Sequence, residues 1–159
     1  MAVSLVPCDD MAIVKQIVTI PDIWERISDG VDSDNYYPST DSTNQWLLVV
    51  ENNNAIGIIY LHCDTSCSLG FHPYMMKAHR KHGRDMIKVF FKWFLDNIPD
   101  QYVKINVVIP ECFKSAVNFA THNGFVEEGV CRESYTKDGK VFNRIMLGIT
   151  RKEVIKWAA

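Results

Sequence analysis

The sequence predicts a single α/β domain built on a central mixed, mostly antiparallel sheet flanked by helices. Its 159 residues are the usual length of one domain and enough to bury a sizeable core. Hydrophobic residues make up 47% and charged residues 23%, values typical of a globular chain and not of a disordered one. Segments of strand period and helix period alternate in the order β-α-α-β-β-β-α-β-α-β-β, which indicates the α/β class.

The first elements are a short strand and two short helices. Residues 3–6 form the strand, and Asp9 or Asp10 can cap the helix that follows. Pro21 suits the first turn of a second helix, which we expect to stop at Asp29-Gly30. The polar stretch 30–45 then reads either as a solvated connection or as a substrate-side loop, because sites concentrate on loops held by a rigid scaffold.

Three β-rich segments come next, at residues 45–51, 55–62 and 66–73. Asn52-Asn53-Asn54 separates the first two and is a good hairpin turn. Residues 85–97 then show helical period with a wide apolar stripe, which indicates a helix packed deeply on the sheet.

The last third alternates strand and helix and ends in a hairpin. Residues 102–109 form a strong strand, and Pro110 is expected to open a helix that Asn123-Gly124 closes. Lys137-Asp138-Gly139 has the chemistry of a tight turn between two final strands, residues 125–135 and 141–150.

Charge and cysteine content limit the classes of partner and the cellular compartment that we expect. The net charge of −2 favours neither nucleic acid nor an anionic membrane. No segment approaches the ~18 apolar residues of a membrane span, and the N-terminus lacks the basic region of a signal peptide. Five dispersed cysteines read as reduced thiols. We therefore expect a cytoplasmic protein with no nucleic-acid or membrane partner.

The segment Arg80-Lys81-His82-Gly83-Arg84-Asp85 follows a strand, contains one glycine and opens a helix. A helix N-terminus leaves backbone N–H groups unpaired and favours negative charge. The glycine permits close approach of a phosphate, and the basic side chains add positive charge. Two interpretations follow: a pyrophosphate cradle, or a basic helix start on the surface.

Two motifs carry a family resemblance. Arg80-x-x-Gly83-x-Asp85 resembles the acetyl-CoA-binding motif of the GNAT N-acetyltransferases, with Asp85 in place of a small residue. The run from Ser115 to Glu133 is similar to the Ser-x(8)-Gly-Phe-x-x-Glu-Gly-x-x-Arg run of the Rim-type branch, which acetylates protein N-termini. The resemblance implies one GNAT domain over residues 1–159, with acetyl-CoA as co-substrate. It also implies an amine acceptor: a protein N-terminus, a lysine or a small molecule.

The resemblance also implies roles for individual residues. The backbone of Phe71, His72 and Pro73 would pair with the pantetheine, and residues 80–85 would hold the phosphates. Cys112 and Asn118 complete the expected cofactor site. Ser115 matches a serine placed near the leaving thiolate and is the candidate proton donor. The general base is open: Glu133 is the first candidate, followed by Glu111 and His72.

Three positions depart from the family pattern. Ala120 stands where many members have a catalytic tyrosine, and Cys112 where the Rim-type branch often has asparagine. Asp85 is the third. The alternative is therefore a catalytically inactive GNAT-fold structural or interaction protein. The hairpin 135–139 also resembles GNAT-like proteins of tailed phages, some of them virion or head-assembly components, which would place the chain in a host cytoplasm or a virion. A homodimer is compatible with either reading.

We expect no metal centre. His62-Cys63-x-x-x-Cys67, with His72 further on, fits no strong zinc spacing. His79-x-x-His82 is interpreted as part of the basic segment.

Overall fold

The computed structural model describes residues 2–28, 31–39 and 41–159, and a seven-stranded sheet organises them. The strands are β1 (Val3–Pro7), β2 (Asn44–Glu51), β3 (Asn54–Thr65), β4 (Ser68–Met75), β5 (Lys104–Pro110), β6 (Val126–Lys137) and β7 (Lys140–Thr150). Their order in the sheet is β1-β2-β3-β4-β5-β7-β6, and only the described pair β4–β5 is parallel. The prediction of a mixed, mostly antiparallel sheet is confirmed.

Helices cover both faces of this sheet. They are α1 (Met11–Val18), α2 (Pro21–Ile27), α3 (Gly83–Asn97), α4 (Lys114–His122) and α5 (Arg151–Ala158), with 3-10 turns at Ser33–Asn35 and Lys77–His82. Asp10 caps α1 by accepting hydrogen bonds from two backbone N–H groups, as expected. None of the helices formed by the described residues is long and apolar enough to cross a membrane.

Turn chemistry sets the registers of the hairpins. Asn52 and Asn53 have φ of 50° and 62°, and Asp138 and Gly139 have φ of 51° and 73°. Two consecutive positive φ values match the right-handed twist of the flanking strands, which is why asparagine, aspartate and glycine occur there. Both predicted hairpins are confirmed.

The two faces of the sheet have different cores. The face covered by α3 holds the larger apolar cluster, including Phe71, Phe90, Phe91 and Phe94, each at most 2% exposed. The face covered by α1 and α2 holds a smaller cluster around Val14, Val18 and Ile58, fringed by partly buried aromatic residues. A wide apolar stripe on α3 and a narrower one on α1 account for this difference.

The parallel contact between β4 and β5 is short. It joins Ser68, Leu69 and Gly70 to Lys104, Ile105 and Asn106, and both strands continue beyond it. Over those further residues each strand pairs only on its other side, β4 with β3 and β5 with β7. An open wedge between β4 and β5 follows.

Two sequence predictions need correction, and one further helix is observed. Pro110 ends β5 instead of opening a helix, since it still pairs with Arg144 of β7, and α4 begins at Lys114. The basic segment is helical from Lys77, so α3 continues a 3-10 turn instead of starting from a loop. Arg151 begins a further helix, α5, fixed by a capping box at its start. The predicted stop at Asp29-Gly30 lies outside the described residues.

Candidate active site

The wedge between β4 and β5 exposes the predicted pantetheine-binding backbone at residues 71–73. The Phe71 ring stacks on Phe90 with centroids 4.3 Å apart and belongs to the buried core. Phe71 can therefore offer a ligand only its backbone. Since successive residues of a strand alternate in direction, the His72 side chain points to the opposite face, which α1 and α2 cover.

His72 is joined to a second histidine and a carboxylate. Its Nε2 atom lies 2.9 Å from Nε2 of His62, and Nδ1 of His62 lies 3.2 Å from Oδ1 of Asp64. Asn106 of β5 donates a hydrogen bond of 3.1 Å to the other oxygen of Asp64. A chain of polar groups therefore leads from β5 through β3 to β4 at the wedge.

One arrangement of protons fits these contacts. A carboxylate only accepts hydrogen bonds, so the tautomer of His62 that suits Asp64 carries its proton on Nδ1. In that tautomer Nε2 of His62 accepts a hydrogen bond from Nε2 of His72. This arrangement leaves the lone pair of His72 on Nδ1.

Burial keeps His72 neutral. It lowers the pKa of His72 to about 4, with a further decrease from His62 and a smaller opposing effect from Asp64. At neutral pH the imidazole is therefore uncharged and able to accept a proton.

Gly70 makes the histidine pair possible. Gly70 pairs with His62 across the β3–β4 ladder, and a Cβ atom at Gly70 would stand 2.2 Å from Nε2 of His62. The absence of a side chain lets the His62 ring lie over this position and reach His72.

An aromatic pocket of about 430 Å³ adjoins the histidine pair. Two of its lining rings flank His72, with centroid distances of 5.5 Å for Tyr60 and 6.4 Å for Tyr74. Most of the lining residues come from α2, the 31–39 segment and strands β2 to β4. The aromatic lining residues are Trp24, Tyr36, Tyr37, Trp46, Tyr60 and Tyr74.

The pocket presents ring faces and neutral hydroxyls. Burial raises the pKa of Tyr36, Tyr60 and Tyr74, so all three remain protonated phenols at neutral pH. Tyr60 donates a 2.7 Å hydrogen bond to Asn44, and the charge of Asp41 adds to the increase in its pKa. Tyrosine and tryptophan faces attract cations, and a nearby carboxylate strengthens that preference.

The basic turn is tied to α2. The Asp22 carboxylate accepts a hydrogen bond from the backbone N–H of Lys77. The backbone carbonyl of Asp22 accepts a second one from the Arg80 side chain. A side-chain anion of the protein therefore already occupies the start of this helical run. Lys81 and Arg84 are exposed cations, and Asp85 is exposed in the first turn of α3.

Gly83 serves helix packing. Its N–H donates to the Arg80 carbonyl, and a Cβ atom at Gly83 would lie 3.0 Å from the Phe119 ring of α4. His82 turns away from solvent, with Nε2 3.4 Å from a carboxylate oxygen of Glu51. The anion cradle at residues 80–85 stays a prediction.

The other predicted catalytic residues lie around Asn143 of β7. The backbone N–H of Asn143 donates to the Glu111 carboxylate, and its side-chain oxygen accepts from the Glu133 N–H, both at 2.9 Å. Glu133 has a φ of 48° in a register shift of β6 and is exposed. Within the described ranges, no hydrogen bond or ion pair connects Glu111 or Glu133 with His62 or His72.

The candidate residues of α4 lie near the surface. Ser115 in its first turn and Asn118 are exposed, and Cys112 is half-buried just before the helix. Their roles stay predictions.

Sequence reasoning missed His62, Asp64 and the tyrosines as parts of a site. One signal was present: a histidine and a glycine, His62 and Gly70, sit at opposite positions of the hairpin that turns near Thr65 and Ser68. Pairing the two strands would have placed His62 beside His72.

No protein-family model and no curated protein sequence matches the chain. Solved structures do. Spermidine N-acetyltransferase from Vibrio cholerae, solved with CoA and spermine, superposes with a TM-score of 0.78 at 16% identity, covering 96% of this chain and 98% of that one. A structure of mutant forms of the spermidine/spermine N-acetyltransferase from Vibrio cholerae gives a TM-score of 0.78 at 17% identity, with 99% of this chain and 98% of that one covered. A dodecameric structure of the Vibrio cholerae spermidine enzyme in an intermediate state gives 0.77 at 17% identity, again with 99% and 98% covered.

The superposition covers nearly the whole of each chain, so the protein has the GNAT fold. The fold prediction is confirmed.

Proposed function

We propose that this protein is an acetyl-CoA-dependent N-acetyltransferase whose acceptor is a small cationic amine. One observation carries the proposal: His72, a neutral histidine oriented by its neighbours, lies where β4 and β5 separate and beside an aromatic pocket. The GNAT fold supports it, since a structure of the same fold was solved with CoA and spermine.

The residues present fit an acetyl-CoA molecule laid along β4. The backbone beyond Gly70 has no strand partner on the β5 side and offers hydrogen-bonding groups to an extended amide chain. Lys81 and Arg84 are exposed cations at the start of α3 and suit the phosphates. When bound, acetyl-CoA supplies an acyl group activated as a thioester.

The aromatic pocket would hold the acceptor. Ring faces of Trp24, Tyr36 and Tyr74 attract an ammonium group, and Asp41 contributes negative charge near Tyr60. A cation bound there would leave a second, neutral amine to react near His72. This favours a small polyamine-like acceptor over the protein N-terminus that the Rim-type resemblance implies.

His72 would act as the base. The amine nitrogen forms a bond to the acetyl carbon, the carbon–sulfur bond breaks, and the thiolate leaves with its electron pair. Nδ1 of His72 takes the proton that the amine loses, while Asp64 and His62 hold the ring in the required tautomer. We prefer His72 to Glu133 because Glu133 is exposed and only its backbone N–H is held, by Asn143, among the described residues. Ser115 remains the proposed proton donor to the thiolate.

A second candidate is a GNAT-fold interaction protein without turnover. Ala120 replaces the family tyrosine, and the Gly83 N–H is already bonded to Arg80. The first feature weakens the expected catalysis, and the second weakens the expected cofactor site. We keep the cytoplasmic location within either proposal, because all five cysteines are free thiols. The phage relationship and the homodimer remain predictions.

The deciding experiment is a calorimetric titration of the full chain with acetyl-CoA, followed by a thiol-release assay with spermidine, spermine and an N-terminal peptide. We expect binding, and CoA release with the polyamines but not with the peptide. Lys81→Ala combined with Arg84→Ala should weaken acetyl-CoA binding roughly 10-fold, because two charge-assisted contacts are lost.

Lys140→Ala, which removes a cation from the far hairpin, is the matched control and should bind as the wild type does. Absence of acetyl-CoA binding would favour the interaction protein. Binding with turnover of the peptide alone would instead support a Rim-type acceptor.

A further inference from the structure

A cluster of two histidines and a glutamate lies on the opposite side of the sheet from the candidate active site. His79 and His82 belong to the 3-10 turn before α3, and Glu51 is the last residue of β2. One ligand atom from each of these side chains lies within 4.8 Å of the other two. We propose that Glu51, His79 and His82 form a binding site for a divalent transition-metal cation, with zinc as the best-suited ion.

The position of the two imidazoles follows from local geometry. A 3-10 turn has three residues per turn, so side chains at i and i+3 lie on one face. The rings of His79 and His82 accordingly stack with centroids 6.3 Å apart and planes inclined by 29°. Their nitrogens can therefore approach one ion from the same side of the turn.

Glu51 is an independent indication of a ligand. Glu51 is only 7% exposed, and its Oε1 atom accepts no hydrogen bond from the described part of the chain. Burying a carboxylate oxygen without a partner is costly, and buried charges are normally paired or bound to metals. The same Oε1 atom lies 3.4 Å from Nε2 of His82 and so faces the two histidines.

The distances suit a small ion after a modest contraction. Ligand atoms about 2.1 Å from a tetrahedral zinc ion are about 3.4 Å apart. The Glu51–His82 separation already has this value, at 3.4 Å. The remaining separations, at most 4.8 Å, require a shift of roughly 1 Å, which a side-chain rotation of the half-buried His79 can supply.

The donor set selects the class of metal. Two imidazole nitrogens and one carboxylate oxygen suit zinc and neighbouring transition metals, whereas magnesium and calcium prefer oxygen alone. Three protein ligands leave one coordination position for water. The ion would give Oε1 of Glu51 a partner and fasten the turn that carries Lys81 to the end of β2.

This inference does not depend on the acetyltransferase proposal, because its test contains no acetyl-CoA. The full chain is stripped with a chelator and titrated with Zn²⁺ in competition with a chromogenic chelator. We expect one ion per chain and an increase in Tm of about 5 °C at a hundredfold excess of Zn²⁺ over its Kd.

Variants locate the site. Glu51→Gln and His79→Gln should each weaken Zn²⁺ binding at least about 100-fold, because each removes a direct ligand. His122→Gln, which removes an exposed histidine from α4, is the matched control and should still bind one ion. Glu51→Gln keeps the side-chain shape, and the circular dichroism spectrum of the metal-free protein checks its fold. If Glu51→Gln unfolds, His79→Gln, on the turn, tests the site instead.

Cobalt distinguishes this site from the cysteines. With Co²⁺ in place of zinc we expect d–d absorption without a thiolate charge-transfer band, since none of the three ligands is a cysteine. Absence of Zn²⁺ binding, binding that both variants retain, or a thiolate band would each overturn the proposal.

Discussion

The two faces of the sheet each bring two histidines together, but in different surroundings. On one face His62 and His72 come from neighbouring strands and contact each other directly at 2.9 Å. On the other, His79 and His82 come from one turn and converge on the buried carboxylate of Glu51. The first pair is joined by one direct hydrogen bond, and the second presents separate nitrogens to a common point.

The comparison shows that the neighbours of an imidazole determine its chemistry. His72 lies among tyrosine rings, and burial lowers its pKa, so its ring is uncharged at neutral pH, as the proposed base requires. His82 faces a buried carboxylate oxygen of Glu51 that accepts no hydrogen bond from the described residues, an arrangement that suits a cation. Substitutions on either face can break this contrast.

Replacing His72 should reduce turnover most. We expect His72→Gln to lower kcat for a polyamine acceptor about 10²–10³-fold, because the base is lost, while the Kd for acetyl-CoA changes less than about twofold. Steady-state kinetics and calorimetry measure the two quantities. His122→Gln is the control for removal of a histidine as such. An unchanged kcat would show that His72 is not the base, and Glu133 would again be the first candidate for that role.

Gly70→Ala should break the contact between the histidines without deleting either of them. The new Cβ would overlap the His62 ring, so we expect a loss of about 1–3 kcal/mol in the free energy of unfolding. Urea denaturation measures this loss. Gly129→Ala is the matched control, because its nearest side-chain atom would be 4.0 Å away, and should change stability by less than about 0.5 kcal/mol. Equal effects of the two variants would contradict the close packing at Gly70.

The neutral state of His72 should appear in the pH dependence of stability. The pKa of His72 is about 4 in the folded protein and about 6.5 unfolded, so the unfolded chain binds more protons between these values. Stability should therefore fall by roughly 1.4 kcal/mol per pH unit as the pH decreases from 6.5 towards 4.

The difference between wild type and His72→Gln isolates this contribution from that of Asp41 and Glu153, whose pKa values are lowered by hydrogen bonds. The groups around His72 are His62, Asp64, Tyr60 and Tyr74, and all four are present in both the wild type and the variant. Parallel curves for the two proteins would show that His72 titrates normally.

Most of the fold could be predicted from the sequence, because local chemistry determines it. Asp10 caps α1, and Asp138-Gly139 forms the turn of the last hairpin, as their residue types require. The prediction that Pro110 opens a helix was wrong because proline also suits the end of a strand. The extended segment before Pro110 continues to pair with β7.

The candidate site could be predicted less well. Residues 71–73 remain a predicted binding strand. The contact of His62 with His72 depends on the register between β3 and β4, which becomes visible only when the two strands are paired through their turn. His79 and His82 were adjacent by spacing, whereas Glu51 reaches them only through tertiary packing. The pocket likewise combines α2 with three strands far apart in sequence.

Helix α2 is held at three places by distant parts of the chain. Asp22 bonds Lys77 and Arg80 of the basic turn, and the Glu25 carbonyl accepts a hydrogen bond from Lys137 of the last hairpin. The same helix supplies Trp24 to the aromatic pocket. A ligand that displaces α2 must therefore move the basic turn with it or break these bonds. For a ligand that does displace α2, occupancy of the pocket and occupancy of the turn are thermodynamically linked, and each alters the affinity at the other by the same factor.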